Sequence, residues 1–266
     1  AKRRPRVLAA RRRLDESTPA AEILIHSCVL LLLRSATAML DVLIVAPHPD
    51  DAELGMGGAI QRFQAEGLRV GVLDLTSGEP TPFGDPETRK QETAEATRIL
   101  GLKWRQNLGL PNRSLVADLE GRRAIAGVIR QTKPKWVFAP YWEDSHPDHV
   151  AATRMVEDAR FWAKLSKSDI PGEPCAPPKL LYYFCIHLRL AFQPAFVLDV
   201  SPYYETKRAA ILAYRSQFVT GRSPAIPFID RLRDEDAHWG YLIGAAYGEP
   251  FASREPIGLS GLGALV

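Results

Sequence analysis

The stretch that decides the fold is VLIVAPHPDDAELGMGG, residues 42–58. Residues 42–46 are five consecutive apolar residues, which is typical of a strand buried on both faces of a parallel sheet. The glycine-rich end of the stretch opens a helical pattern. Between them stand His48, Asp50 and Asp51. Side chains that can bind a metal therefore lie where a buried strand ends and a helix begins.

A second fragment of the same kind, His146-Pro147-Asp148-His149, follows the apolar run at residues 136–140. If both preceding strands belong to one parallel sheet, both fragments emerge at its carboxyl edge, where open α/β sheets bind their ligands. We therefore expect one site built from both fragments.

The rest of the chain alternates strand and helix patterns, which predicts an α/β, Rossmann-like, doubly wound and mostly parallel sheet. Strands are predicted at residues 42–46, 70–75, 104–108, 135–139, 180–186 and 196–200. Helices are predicted at residues 58–66, 87–100, 119–131, 150–165, 202–216 and 231–247. Residues 77–86 and 170–178 read as loops, and the C-terminus reads as irregular. We therefore predict one domain over residues 40–266.

Residues 1–39 differ from the rest and form a predicted N-terminal extension, either poorly ordered or preceding a natural start at Met39. Seven Lys and Arg residues occupy residues 1–13, and a short apolar run with a polar interruption follows. Two alternatives stay open: a secretory signal or membrane anchor, with an A-x-A site at residues 36–38, and an ordered extra helix. The apolar run is too short to span a bilayer, so no stable membrane insertion is expected.

The composition excludes some classes of protein. Without the seven N-terminal cations, 27 basic residues stand against 31 acidic ones, a net charge of −4 that gives no support to nucleic-acid binding. Cys28, Cys175 and Cys185 are odd in number and widely spaced, which favours reduced thiols and a cytoplasmic protein. A homo-oligomer is a further expectation.

The two fragments together supply what a hydrolytic zinc site needs: three protein ligands and an open position for water. His48 and Asp51 are three residues apart across a turn and are assigned to the metal, with His149 as third ligand. Asp50 points elsewhere and becomes the base that takes a proton from the water. His146 is left to face the substrate, where it stabilises the oxyanion or protonates the leaving amine, and Asp148 is expected to orient its ring.

These residues resemble the LmbE-like, or PIG-L, superfamily of zinc-dependent N-acetylglucosaminyl deacetylases, closest to those of bacillithiol biosynthesis. The resemblance rests on the fragments at residues 46–51 and 146–149, with support from residues 75–79, 89–92, 138–144, 214–218 and 247–251. It implies the same zinc ligands, the base at Asp50 and a supporting role for His146. It also implies a sugar contact at Arg89, and Glu79 and Asn112 are further candidate substrate-binding residues.

Two departures from the family pattern bear on the substrate. Asn112 replaces a carboxylate of the Leu-Pro-Asp-Arg segment, and a tyrosine that some members place before the second motif is absent. Tyr141, Tyr214 or Tyr247 could replace that tyrosine. The roles of two further residues stay open. Glu53 fits a carboxylate at the start of a helix, and His187 fits either a pocket residue or an ordinary core or surface histidine.

We therefore expect a carbon–nitrogen hydrolase that releases acetate from a GlcNAc-containing small molecule, such as GlcNAc-malate. The alternatives are an amidase of thiol–sugar conjugates and a non-catalytic sugar-binding module on the same fold.

Overall fold

A computed structural model of the protein describes residues 39–185, 187, 191–221 and 227–261. The strands are β1 (Val42–Ala46), β2 (Val70–Thr76), β3 (Trp104–Leu110), β4 (Trp136–Pro140), β5 (Lys179–Tyr183), β6 (Phe196–Asp199) and β7 (Gly248–Ala252). The α-helices are α1 (Asp51–Ala65), α2 (Pro86–Ile99), α3 (Leu119–Thr132), α4 (Pro147–Ala163), α5 (Tyr204–Ala213), α6 (Arg215–Phe218) and α7 (Phe228–Leu242), and a 3₁₀ turn at Ser201–Tyr203 precedes α5.

The strands form one seven-stranded sheet in the order β3-β2-β1-β4-β5-β7-β6. Strands β1 to β5 are parallel, and β7 runs antiparallel to both of its neighbours. The chain moves outward from β1 to β3 on one side and from β4 to β5 on the other, so the order reverses between β1 and β4. The predicted doubly wound, mostly parallel sheet is confirmed, and its switch point lies between the strands that carry the two polar fragments.

Alternate residues of β1 face two different hydrophobic cores, because successive side chains of a strand point to opposite faces. Val42 and Ile44 pack in a core that includes residues of α1, α2 and α5. Leu43 and Val45 pack in a core that includes residues of α3 and α4. Helices on both faces explain why this strand reads as a continuous apolar run.

Helix α1 begins at Asp51, seven residues before the predicted start at Gly58. The backbone of Met56 has non-helical angles, so the helix is kinked there and continues from the glycines that follow. The carboxylate of Glu249 accepts hydrogen bonds from the backbone amides of Gly58 (2.9 Å) and Ala59 (2.7 Å) at this resumption. A side chain from the other end of the sequence thus caps the second half of α1.

The expectation of an irregular C-terminus is wrong for residues 248–252, which form β7 between β5 and β6. The strand has a proline at position 250 and a fully buried glutamate at position 249, two features that argue against an interior strand. Lys207 compensates that glutamate, with its Nζ 2.8 Å from Glu249 Oε1 and 2.8 Å from Asp236 Oδ2. Sequence patterns do not show such a distant ion pair.

Several other predicted boundaries moved. The predicted helix at residues 202–216 divides into a 3₁₀ turn, α5 and α6, and the predicted helix at residues 231–247 becomes α7. Residues 1–38, Cys28 among them, lie outside the described residues, as does Ile186 at the end of one predicted strand. Cys175 and Cys185 are free thiols. No helix among the described residues has the length and apolar character needed to cross a membrane.

Candidate functional site

The two polar fragments meet at the carboxyl edge of the sheet, beside the switch point. His48 lies in the turn between β1 and α1, where Asp50 has a φ of 121°, in the region that favours glycine. His146 is the N-cap of α4, and its Nδ1 accepts a hydrogen bond from the backbone amide of Asp148 at 3.2 Å. Strained backbone is common at functional sites, where the surrounding structure holds it in place. Here the strain lies at Asp50, and the carboxylates of Asp50 and Asp51 have different partners.

The three predicted metal ligands lie together. Oδ2 of Asp51 is 3.0 Å from Nδ1 of His48 and 3.3 Å from Nε2 of His149. Ligand atoms about 2.0–2.1 Å from a tetrahedral zinc are roughly 3.3 Å from one another. These two separations are therefore close to those around a tetrahedral ion, and all three donor atoms lie within 4.8 Å of one another.

One atom of this group has no hydrogen-bond partner among the described residues. It is Nε2 of His149, which belongs to a side chain with no exposed surface. Buried polar atoms are normally satisfied, so an unpaired one calls for an explanation such as an ion. Burial alone would raise the pKa of the Asp51 carboxyl, but the facing imidazoles of His149 and His48 outweigh it and hold the pKa well below its usual range. The arrangement suits a cation between these three side chains.

A carboxylate faces the other nitrogen of each of the two histidine rings. Nδ1 of His149 is 2.9 Å from Oδ2 of Asp144, and Nε2 of His48 is 3.3 Å from Oδ2 of Asp148. Carboxylates in this position fix the tautomer and orientation of metal-binding histidines. The role of Asp144 was not predicted, although its position five residues before His149 could have suggested it.

The prediction that Asp148 orients the ring of His146 needs correction. The Asp148 carboxylate accepts hydrogen bonds from the backbone amides of Arg113 (2.8 Å) and Leu115 (3.2 Å) and faces His48. Only the backbone amide of Asp148 bonds the ring of His146. The physical reason is that the first turn of a helix points its free amides at the N-cap, while the side chain of Asp148 reaches the backbone of residues 113 and 115 and the ring of His48.

Asp50 is not one of the three donors and pairs with Arg89. Nη1 of Arg89 lies 2.9 Å from Oδ2 of Asp50 and donates to the carbonyl of Pro49 at 2.6 Å, while Nε donates to Oε1 of Glu79 at 3.1 Å. Burial raises the pKa of Asp50 to about 7, although Arg89 opposes the shift. Arg89 is only 3% exposed, so it is part of a buried network as well as of the cavity wall.

A cavity of about 310 Å³ opens over these residues. His48, Asp50, Asp51, Arg89, Asn112 and His146 line it, as do residues that were not singled out for it, such as Gln217 and Phe228. His187 also lines the cavity, with its ring centroid 5.4 Å from that of His146, so the pocket reading of this residue is confirmed. Glu79 stands behind Arg89 and is not among the lining residues.

The three tyrosines proposed to help the oxyanion have other partners. Tyr214 is fully buried and donates to Glu53 at 3.1 Å, Tyr141 stacks on Trp142 and Phe184, and Tyr247 stacks on Tyr204. None of the three lines the cavity in the part of the chain that the structure describes. Glu53 is fully buried and bonds Arg105 at 2.6 Å, so its role goes beyond a helix-start charge.

Comparison with known proteins agrees with this geometry. Residues 43–160 match the family model for PIG-L, GlcNAc-PI de-N-acetylase. The chain is 30% identical over 193 residues to a probable N-acetyl-alpha-D-glucosaminyl L-malate deacetylase 2 of Bacillus anthracis, covering 67% of this chain and 82% of that protein. It is 29% identical over 192 residues to the diacetylchitobiose deacetylase of Thermococcus kodakarensis, covering 66% of this chain and 70% of that protein.

A solved structure is similar over almost its whole length. The conserved protein TT1542 from Thermus thermophilus shares 43% identity, with 83% of this chain and 97% of that chain covered and a TM-score of 0.77. Residues 43–160, which the family model matches, contain both polar fragments and the strands that position them. The chain therefore belongs to the PIG-L family of de-N-acetylases.

Proposed function

We propose that this protein is a zinc-dependent de-N-acetylase that hydrolyses the acetamide of a GlcNAc-containing small molecule to a free amine and acetate. GlcNAc-malate, or a related small glycoside, is the substrate class that we propose. The observation that carries the proposal is the meeting of His48, Asp51 and the unpaired Nε2 of the buried His149, beside a cavity that His48, Asp50 and Asp51 line.

His48, Asp51 and His149 would hold the zinc. A zinc ion held there would supply a water of lowered pKa and would polarise the acetyl carbonyl. Asp148 and Asp144 would keep the rings of His48 and His149 in the orientation that the ion requires.

Asp50 is the base in this proposal. Its carboxylate lies next to a metal ligand in sequence but faces Arg89, so it is free to take a proton rather than to bind the ion. Arg89 fixes Oδ2 of Asp50 by an ion pair and the adjoining turn by its hydrogen bond to the Pro49 carbonyl. Both contacts limit movement of the base when a substrate enters.

His146 lies on the other side of the donor group, with its ring 4.9 Å from that of His48 between centroids. From there it can hydrogen-bond the oxygen of the acetyl group or give a proton to the departing amine. Asn112 lies in the same wall and can bond sugar hydroxyls through its amide. Arg89 presents the remaining part of its guanidinium to the same cavity.

The test is acetate release from a panel of N-acetylglucosaminides by the purified protein, with zinc content measured in the same samples. We expect Asp50→Asn to retain zinc and to lose turnover by about a hundredfold or more, the scale of a positioned base. Glu95→Gln is the matched control, because Glu95 is an exposed carboxylate of α2 paired only with Arg98. Turnover by Asp50→Asn at the wild-type rate would remove Asp50 from the mechanism, and no acetate from any member of the panel would refute the proposed activity.

A further inference from the structure

Gln217 lines the catalytic cavity but has no part in the proposed chemistry. It lies in α6 and is only 8% exposed. A buried side-chain amide is normally held by hydrogen bonds, and it has two hydrogens to donate and one oxygen that accepts. The partners of this amide therefore show what it leaves for a ligand.

The amide nitrogen of Gln217 serves two hydroxyl groups. Nε2 donates to Oγ of Ser216 at 2.7 Å and to Oγ1 of Thr81 at 3.0 Å. Thr81 belongs to the loop between β2 and α2, so the second bond joins α6 to that loop. Both hydrogens of the amide group are thus used within the protein.

Buried carboxylates fix the direction of the two hydroxyl groups. Oγ of Ser216 donates to Oε2 of Glu92 at 2.7 Å. Oγ1 of Thr81 donates to the carboxylate of Glu79, whose two oxygens lie at 3.0 and 2.9 Å. A hydroxyl group has one hydrogen, so each of these oxygens can only accept from Gln217. The amide must therefore turn its nitrogen toward both hydroxyls, because the opposite orientation would set acceptor against acceptor.

Helix α2 holds both carboxylates in place. Glu92 is a residue of this helix and also accepts from the backbone amide of Ser216 at 2.7 Å. Glu79 pairs at 3.1 Å with Arg89, which lies one turn before Glu92 in the same helix. The bonds close a ring that begins and ends on α2, so the amide of Gln217 is fixed before a ligand binds. A group fixed in advance loses little entropy on binding.

The carbonyl oxygen of Gln217 is the part of the amide that remains. Oε1 has no hydrogen-bond donor among the described residues, and it keeps accessible surface on a side chain that lines the cavity. An amide carbonyl accepts hydrogen bonds and cannot donate them, whereas the guanidinium of Arg89 only donates. The cavity wall thus offers one fixed acceptor beside a group of donors.

We propose that Gln217 is a substrate-binding residue whose Oε1 accepts a hydrogen bond from one free hydroxyl of the N-acetylglucosamine unit. This inference rests on the proposed de-N-acetylase function and adds a specificity-determining residue to it. Because the amide presents only an acceptor, it selects a hydroxyl that keeps its hydrogen. A sugar in which this hydroxyl is missing or methylated has no hydrogen to donate, so it binds more weakly.

The test measures acetate release from methyl N-acetylglucosaminide and from analogues that each lack one hydroxyl of the sugar. Gln217→Met keeps the length of the side chain and removes the acceptor. We expect kcat/KM for the parent sugar to fall about three- to tenfold, the scale of one neutral hydrogen bond, and kcat/KM for one analogue to stay unchanged. In the wild-type protein, that analogue should be the poorer substrate by a similar factor. Gln91→Met, at an exposed glutamine of α2, is the matched control and should change neither value.

The selectivity of the loss distinguishes a substrate contact from a structural role. If Gln217 only joins α6 to the loop, Gln217→Met will lower kcat/KM for the parent and for every analogue by the same factor, which would overturn the proposal. Unchanged values for all of the sugars would overturn it as well. Gln217→Asn is a second variant, for the case that Gln217→Met does not fold. Its shorter amide can still donate within the protein but draws the carbonyl back from the cavity, so it should show the same selective loss.

Binding separates this inference from the proposed activity. In Asp50→Asn, titration calorimetry should show the parent sugar binding more tightly than one analogue, and Gln217→Met added to this variant should remove that difference. If acetate release fails while the difference persists, the proposed activity is wrong and the contact stands. If acetate is released but all of the sugars bind alike, the contact is wrong and the activity stands. Absence of any sugar binding would overturn the contact too.

Discussion

Substitution of Asp144 by asparagine tests whether the carboxylates behind His48 and His149, the proposed zinc ligands, affect zinc binding. The Asp144 side chain serves two donors, since Oδ2 faces Nδ1 of His149 at 2.9 Å and Oδ1 accepts from the backbone amide of His146 at 2.9 Å. An asparagine has a single carbonyl oxygen, so it can satisfy one of the two donors and turns an amide NH₂ toward the other. Either orientation weakens the hold on the His149 ring or on the N-cap of α4.

The expected loss of zinc affinity follows from what such carboxylates contribute to other metal sites. Loss of a carboxylate behind a metal-binding histidine weakens metal affinity about ten- to a hundredfold. This is about 1.4 to 2.7 kcal/mol of binding free energy. The fold should persist, because Asp144 lies in a turn outside the two hydrophobic cores.

Competition with a chromogenic chelator gives the zinc affinity directly. Glu143→Gln is the matched control, since it removes the same charge one residue away on an exposed side chain. Wild-type affinity in Asp144→Asn would refute this reasoning. Equal weakening in both variants would do so too, because it would show a general effect of charge rather than an effect of the His149 ring.

Three further predictions concern stability. Lys207→Met should lower the free energy of unfolding by about 3–5 kcal/mol in chemical denaturation, because it leaves Asp236 and Glu249 buried without their cation. The control is Arg208→Met, at the next residue, which is exposed and should leave the free energy of unfolding nearly unchanged. Gly58→Ala should destabilise the protein, since its Cβ would lie 2.6 Å from Cβ of Val200, whereas Gly127→Ala, with open space in α3, should stabilise it by up to about 1 kcal/mol. Hydrogen bonds from Arg69 hold the pKa of Asp41 well below its usual range, so Asp41→Asn should be less stable than wild type at neutral pH. That difference should shrink as the pH falls below about 4 in urea titrations, because the wild-type carboxylate becomes protonated first in the unfolded chain; a gap that widens toward low pH would contradict the ion pair.

The fold and the meeting of His48, Asp51 and His149 could be predicted from sequence because both depend on local patterns. The apolar run at residues 42–46 specifies a buried strand, and a polar turn after such a strand must lie at the carboxyl edge of the sheet. The same reasoning placed His146 and His149 at that edge. Because β1 and β4 are neighbours in the sheet, the turns that follow them lie together although they are about a hundred residues apart in sequence.

The strand β7 and the carboxylates behind the histidines could not be predicted in this way. Glu249 is tolerated in a buried strand only because Lys207 lies against it, and that pairing is set by tertiary packing. The role of Asp148 depends on which way its side chain leaves the helix, and sequence spacing alone favoured the neighbouring His146 over the distant His48. Local signals fail here because each side chain is satisfied by a partner from another element.

The buried charges around the first turn give an independent physical reason for a cation in the site. Arg89 pairs with both Asp50 and Glu79. Arg105, whose side chain is only 6% exposed, likewise pairs with both Glu53 and Asp74.

Asp51 has neither of these guanidinium groups as a partner; its Oδ2 faces the rings of His48 and His149 and accepts a hydrogen bond from the backbone amide of His48 at 3.0 Å. Each of the two guanidinium groups is thus shared by two carboxylates, and among the described residues the ionisable partners of the fifth carboxylate, Asp51, are imidazoles. The charge of a buried carboxylate must be balanced, and without an ion the rings do so as protonated imidazoles, because Asp51, against the lowering effect of burial, raises the pKa of both His149 and His48. A divalent ion between Asp51 and the two rings would supply positive charge and leave the rings neutral, and Asp51 Oδ2 lies 3.0 and 3.3 Å from the two ring nitrogens, close to the spacing of a tetrahedral site.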